Sequence, residues 1–306
     1  MNTDQYTLDE TMLPVGDGHE LYVQLWGKAA AAETIIFLHG GPGGSCSDKH
    51  KSLFDPLKQR VLFFDQRGGG KSLPYGSLAA NNTEHMIEDI KIIAAHFELA
   101  TFAITGGSWG SCLALAYAVK YPKQVTRMVL RGIFTGRQSE IDFLDKGVFR
   151  SSYPEVWQRF VDSVPAPNRD DPGGYHMPRV LGDDLAQAKE SAYAYSNLEG
   201  SLISLDDRFS AEPFDKFDPT PTKIECHYLA NRCFMPDGYI LEQASLLTMP
   251  IALVQGRYDM VCPPFTAYDL AQKLPNAKLY WTVAGHSGYD RPNWDLTRAL
   301  LADSPS

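Results

Sequence analysis

One junction in this sequence constrains the fold more than any other. Gly106-Gly107-Ser108-Trp109-Gly110 stands between a short apolar run, Thr101–Thr105 (TFAIT), and a longer one, Trp109–Tyr121, apolar nearly all round and stopped by Pro122. A short apolar run bounded by glycine suits a strand buried on both faces of a parallel sheet. The longer run suits a buried helix that proline ends. A strand that turns sharply into a helix brings backbone close to its neighbours, so small residues must flank the turn. The five residues fit G-x-S-x-G, in which a serine is presented at a helix N-terminus. A plain glycine turn with an exposed serine is the competing reading, and the strand and helix on either side argue against it.

The rest of the chain extends the same layout. Tyr6–Leu13 and Glu20–Trp26 read as an antiparallel pair joined at Gly16-Asp17-Gly18. Thr34–Leu38 (TIIFL), Arg60–Phe64 (RVLFF) and Met128–Leu130 are further strand candidates, and Thr83–Phe97 has helical apolar spacing. Strand-like runs then vanish. Leu185–Leu198 and Pro236–Leu247 read as helices, and Pro165–Gly174 (PAPNRDDPGG) as a loop. Strands return at Ile251–Gln255 and Lys278–Val283, with a helical stretch at Phe265–Leu274 between them. The predicted architecture is α/β: a mostly parallel sheet formed by residues 1–133 and 248–306, with a mainly helical cap domain inserted at 134–247.

A serine needs a base. His286, in Ala284-Gly285-His286-Ser287, follows the strand at Lys278–Val283, late in the chain as Ser…Asp/Glu…His order requires. Asp259 follows Ile251–Gln255 and is the carboxylate predicted to hold the imidazole tautomer. Asp269 falls inside a predicted helix, and Asp290 lies too close after His286 to be a natural choice. The oxyanion donors are assigned to the backbone N–H groups of Gly41, in His39-Gly40-Gly41-Pro42-Gly43-Gly44, and of Trp109. Neither this run nor Asp65–Ser72 (DQRGGGKS) has phosphate-loop spacing. The latter reads as a structural loop, with Asp65 and Arg67 in internal hydrogen bonds.

Composition narrows the partners. A net charge of −9 with no dense basic cluster argues against nucleic acid. No run reaches the ~18 apolar residues of a membrane span, and no signal-peptide pattern is present. Five cysteines, none at CxxC spacing, suit reduced thiols in the cytoplasm and no zinc site. Triad chemistry requires no metal or cofactor.

Taken together, HGGPGG (39–44), DQRGGGKS (65–72), GGSWGSCLALAYA (106–118), LRGIFTGR (130–137), GRYDMVCP (256–263) and AGHS (284–287) closely resemble prolyl aminopeptidases, also called proline iminopeptidases. The motifs run in that family's order over nearly the whole chain. The resemblance implies release of an N-terminal residue, usually proline, from short peptides, and cap glutamates that receive the free amine. The matching positions are Glu199, in Tyr195-Ser196-Asn197-Leu198-Glu199-Gly200, and Glu225, in Lys223-Ile224-Glu225-Cys226-His227-Tyr228. The resemblance also places Phe134 either near the pyrrolidine pocket or in the core.

This sequence departs from the family's W-x-x-W-E-G at Tyr195 and Leu198. Those aromatics should wall the region beside the substrate, so Leu198 would remove a flat face there and open space. The implied substrates are small peptides or amino-acid amides with a free N-terminus. An amidase or esterase indifferent to the amine, and a ligand-binding relative without turnover, are the rival classes. Epoxide hydrolases and dehalogenases need an aspartate where Ser108 stands.

Overall fold

The computed structural model describes residues 4–205 and 209–303. Its centre is an eight-stranded sheet in the order β1-β2-β4-β3-β5-β6-β7-β8. The strands are β1 (Thr7–Gly16), β2 (His19–Gly27), β3 (Thr34–Leu38), β4 (Arg60–Phe64), β5 (Phe102–Ser108), β6 (Val125–Ile133), β7 (Ile251–Gly256) and β8 (Ala277–Thr282). β1, β2 and β4 pair antiparallel; β4, β3, β5, β6, β7 and β8 pair parallel. The first hairpin closes on Asp17-Gly18, both at positive φ (54° and 75°), as a type I′ turn requires.

The helices are α1 (Asp48–Lys51), α2 (Thr83–His96), α3 (Trp109–Lys120), α4 (Gln138–Asp145), α5 (Pro154–Asp162), α6 (Pro172–Val180), α7 (Leu185–Ile203), α8 (Thr220–Ala230), α9 (Tyr239–Gln243), α10 (Pro264–Ala271) and α11 (Arg291–Ala302). Every residue of β3 is buried, as a strand covered on both faces must be. One apolar cluster joins the sheet to α2, α3 and α10. A second joins Trp26, Phe37, Phe54 and Phe63 to Leu301 of α11. A third lies within the helical block, around Leu144, Phe160, Tyr195 and Leu198. No helix among the described residues is long and apolar enough to cross a membrane.

Three sequence expectations change. Pro165–Gly174 is not all loop, because Pro172, Gly173 and Gly174 open α6, with the Asp171 carboxylate accepting the Gly174 N–H at 3.0 Å. Proline in a helix's first turn costs no hydrogen bond, so composition misled there. The helix expected at Pro236–Leu247 starts only at Tyr239, after Gly238 at φ 77°, and gives way to a 3₁₀ turn at Ala244–Leu246. β5 runs past Thr105 to Ser108, since Gly106 and Gly107 continue the ladder to Leu130 and Arg131 of β6.

Candidate active site

The ends of five parallel strands converge on one place. Ser108 ends β5 at φ 57° and ψ −129°, a conformation a non-glycine residue adopts only when its surroundings enforce it. The enforcement is visible in the glycines. A β-carbon on Gly110 would lie 2.2 Å from the Leu38 carbonyl oxygen, and one on Gly106 would lie 2.6 Å from the Gly110 oxygen. No side chain fits at either position, so the turn can be this tight only with glycine on both sides.

Asp259 follows β7 and is fully buried. Its Oδ1 accepts the backbone N–H groups of Val261 (3.0 Å) and Cys262 (2.8 Å). Its Oδ2 faces His286 Nδ1 at 2.9 Å and accepts Gln255 Nε2 at 3.2 Å. Nδ1 therefore donates to the carboxylate, leaving Nε2 free to accept a proton. The imidazole packs over Gly132, where a β-carbon would sit 3.1 Å from its Cε1, and the next residue, Ile133, is in register with Ser108. The Ser108 hydroxyl is turned towards Cys262, with Oγ and Sγ 3.9 Å apart. Among the described residues it makes no hydrogen bond to His286; such contacts often tighten only around substrate.

The two rejected carboxylates lie elsewhere. Asp269 pairs with Arg137 at 3.1 Å, and Asp290 accepts the Gly285 N–H at 3.0 Å. The Asp65–Ser72 loop is held from inside. Asp65 accepts the N–H groups of Cys46 and Lys71, and Arg67 makes a two-pronged ion pair with Asp89 at 2.7 and 2.8 Å.

Ser108 opens into a cavity of about 50 Å³, room for only a few waters. Gly41, Trp109, Phe134, Tyr195, Glu199 and Glu225 all line it. Trp109 is the first residue of α3, so its N–H has no carbonyl four residues back to donate to. Phe134 lines the cavity and also packs against the main apolar cluster.

Two carboxyls set the cavity's electrostatics. Burial raises the Glu199 carboxyl above the ordinary carboxylate range, opposed by the nearby His286. Burial raises Glu225 further, and the adjacent Glu199 adds to it. Two carboxyls this close share a site that favours holding a proton or a cation.

Leu198 does not wall this cavity. It is 3% exposed, packs in the third apolar cluster and borders a separate outer cavity with Phe160 and Phe209. On a helix a three-residue offset turns a side chain by roughly 60°, enough to separate it from Tyr195. Cys262 and Glu140 are among the lining residues that the sequence reading did not single out. Cys262 counts in the sequence only as one of five cysteines. Glu140 is 2% exposed and accepts the Thr135 N–H (2.8 Å) and Arg137 Nε (2.8 Å). Only the pattern T-x-R-x-x-E, spaced for local hydrogen bonding, could have suggested it.

Comparison with known proteins agrees with this architecture. The profile of the α/β hydrolase fold family matches residues 33–289. A proline iminopeptidase of Xylella fastidiosa is 38% identical over 294 residues, covering 94% of this chain and 93% of its own. One from Arabidopsis thaliana is 38% identical, covering 90% of this chain and 74% of its own. The crystal structure of a proline iminopeptidase-related protein from Thermus thermophilus superposes with a TM-score of 0.65 at 20% identity, covering 96% of this chain and 97% of its own. The chain belongs to the proline iminopeptidase family of α/β hydrolases.

Proposed function

We propose that this protein is a serine aminopeptidase that releases an N-terminal residue, proline foremost, from short peptides. The observation that carries the reading is that Ser108, Glu199 and Glu225 line one small cavity. A nucleophile beside paired carboxyls suits a substrate whose scissile carbonyl lies one residue from a positive amine. Residues 134–247 act as a cap domain, contributing Glu199 and Glu225 from above the sheet.

Ser108 turns from Cys262 towards His286 and attacks the carbonyl of the first residue, forming the Oγ–C bond as Nε2 takes the proton. The N–H groups of Gly41 and Trp109 hold the oxyanion, a contribution on the order of 10²–10³ in rate per donor. Asp259 keeps the tautomer and stabilises the imidazolium. His286 then protonates the leaving amine as the C–N bond breaks, and water, deprotonated by the same imidazole, releases the amino acid. Phe134 and Tyr195 supply aromatic faces for a small ring. No cofactor takes part. The surface charge disfavours nucleic acid, and five free thiols suit the cytoplasm.

The test is a panel of aminoacyl p-nitroanilides with and without N-terminal blocking. Cleavage of proline p-nitroanilide, loss of it on acylating the amine, and its near-abolition in Ser108→Ala are the expected results. Equal cleavage of blocked and free substrates would replace this reading with a general amidase or esterase. No labelling by a fluorophosphonate would indicate a relative without turnover.

A further inference from the structure

The two assigned oxyanion donors lie far apart in sequence, Gly41 on the loop after β3 and Trp109 at the start of α3. The β3–β5 ladder ends at Leu38 and Gly106, short of both donors. An oxyanion hole works only when its donors are fixed relative to each other before reaction. The residue that spans this gap comes from another loop. Gln66 follows β4, on the far side of β3 from β5, and is 1% exposed. Its Nε2 donates to the His39 carbonyl at 3.1 Å, and its Oε1 accepts the Trp109 indole N–H at 2.8 Å. Its backbone N–H donates to His39 Nε2 at 3.0 Å.

The direction of each bond follows from chemistry. An indole N–H only donates and a carbonyl only accepts, so the amide can sit only one way round. His39 Nε2 accepts, so Nδ1 carries the proton and donates to the Gly40 carbonyl at 3.1 Å. Burial lowers the His39 pKa, which keeps this ring neutral. On its other side the Trp109 ring meets Tyr228 of α8 edge to face, with centroids 4.8 Å apart. The indole is thereby held between the cap and the amide of Gln66.

We propose that Gln66 is a positioning residue that sets the spacing of the two oxyanion donors, through His39 on the loop after β3 and Trp109 at the start of α3. The inference rests on the oxyanion assignment made under the proposed function. Gln66→Met keeps the length of the side chain and removes both side-chain hydrogen bonds. Kinetics are normalised to active sites counted with a fluorophosphonate. Two inhibitors separate the roles: the boronic acid analogue of proline, whose adduct with Ser108 places an oxygen in the hole, and pyrrolidine, which engages only the amine site.

Gln66→Met is expected to lower kcat roughly 10- to 100-fold, since outright loss of a donor costs on the order of 10²–10³, with KM little changed. Boronate affinity should fall in parallel and pyrrolidine affinity should not. Trp109→Phe, which keeps the backbone N–H and removes the indole donor, should show the same selective loss. The double variant should be little worse than either single one. If Gln66→Met folds poorly, Trp109→Phe carries the test alone. An unchanged ratio of boronate to pyrrolidine affinity in these variants overturns the role of Gln66. A wild-type protein that binds the boronate no better than pyrrolidine overturns the oxyanion reading instead.

Discussion

The phenol of Tyr195, on α7, donates to the carboxylate of Asp145 at the end of α4. One partner lines the cavity beside Ser108 and the other is largely buried among the helices between β6 and β7. Burial pushes the Asp145 carboxyl up to about 6; the phenol opposes the rise, and Asp142 and Asp171 add to it. A carboxyl raised above its unfolded value binds its proton more tightly in the native state. Its contribution to stability is therefore full below about pH 4 and is lost as pH rises towards 6. Asp145→Asn removes that dependence. The melting temperature of the variant minus that of wild type should rise between pH 4 and 6 and then level off. The full change should not exceed about 3 kcal/mol, at ~1.4 kcal/mol per pKa unit. A difference that stays flat across this range would refute the assignment.

Glu225 presents the same physics inside the site. Its carboxyl is held well above the ordinary range by burial and by Glu199. Glu225→Gln relieves that repulsion while keeping the shape. The variant should melt higher than wild type at neutral pH and bind the substrate amine less well, with KM for proline p-nitroanilide raised at least tenfold. Opposite movements of stability and activity are what a site strained for binding predicts. A lower melting temperature would refute the repulsion between the two carboxyls. The unmodified pair should also make kcat/KM climb with pH through the range in which it loses its proton, because the cationic amine competes with that proton.

Arg67 and Asp89 are each 1% exposed and joined by two hydrogen bonds. Arg67 also donates to the carbonyls of Ala80 and Val15, tying the glycine loop to β1 and the turn before α2. Arg67→Met leaves Asp89 buried and unpaired, which costs about 3–5 kcal/mol. Denaturant unfolding should report that loss. Arg67→Met/Asp89→Leu should recover most of it, because the uncompensated charge is then gone.

Ser108, the candidate nucleophile, was legible because two signals coincide in sequence: an apolar run ends at a glycine pair, and a proline-stopped apolar run begins beside it. Asp259 and His286 were legible for a similar reason, each lying just beyond a strand whose apolar run is unbroken. Glu199 and Glu225 were not, since a glutamate on a helix gives no local sign of whether it faces water or a cavity; only family resemblance singled them out. The same blindness misplaced Leu198, because a helix of mixed polarity leaves its rotation undetermined. Gln66 and Asp145 gave no signal at all. A neutral amide in a glycine-rich loop acquires meaning only when folding brings His39 and Trp109 to its two ends. Local composition fails most plainly at Pro172-Gly173-Gly174, where residues typical of loops open a helix.

Asp259 is tied so that an amide in its place has only one way to sit. Oδ1 must accept two backbone N–H groups, from Val261 and Cys262. In Asp259→Asn the carbonyl oxygen is therefore held at that position, and the NH₂ is forced towards His286 Nδ1 and Gln255 Nε2. An NH₂ there can only donate, so Nδ1 must become the acceptor and the proton moves to Nε2, the atom that should receive the serine's proton. The substitution should lower kcat by about 10⁴, the scale observed when a triad imidazole is held in the wrong tautomer. Binding of pyrrolidine at the amine site should be unaffected. Asp259→Ala places no donor against the ring and leaves the tautomer free. It should be the more active of the two variants at high pH, where a neutral imidazole can still present Nε2 as a base. Equal activity of the two across the pH range would show that Asp259 acts through its charge alone.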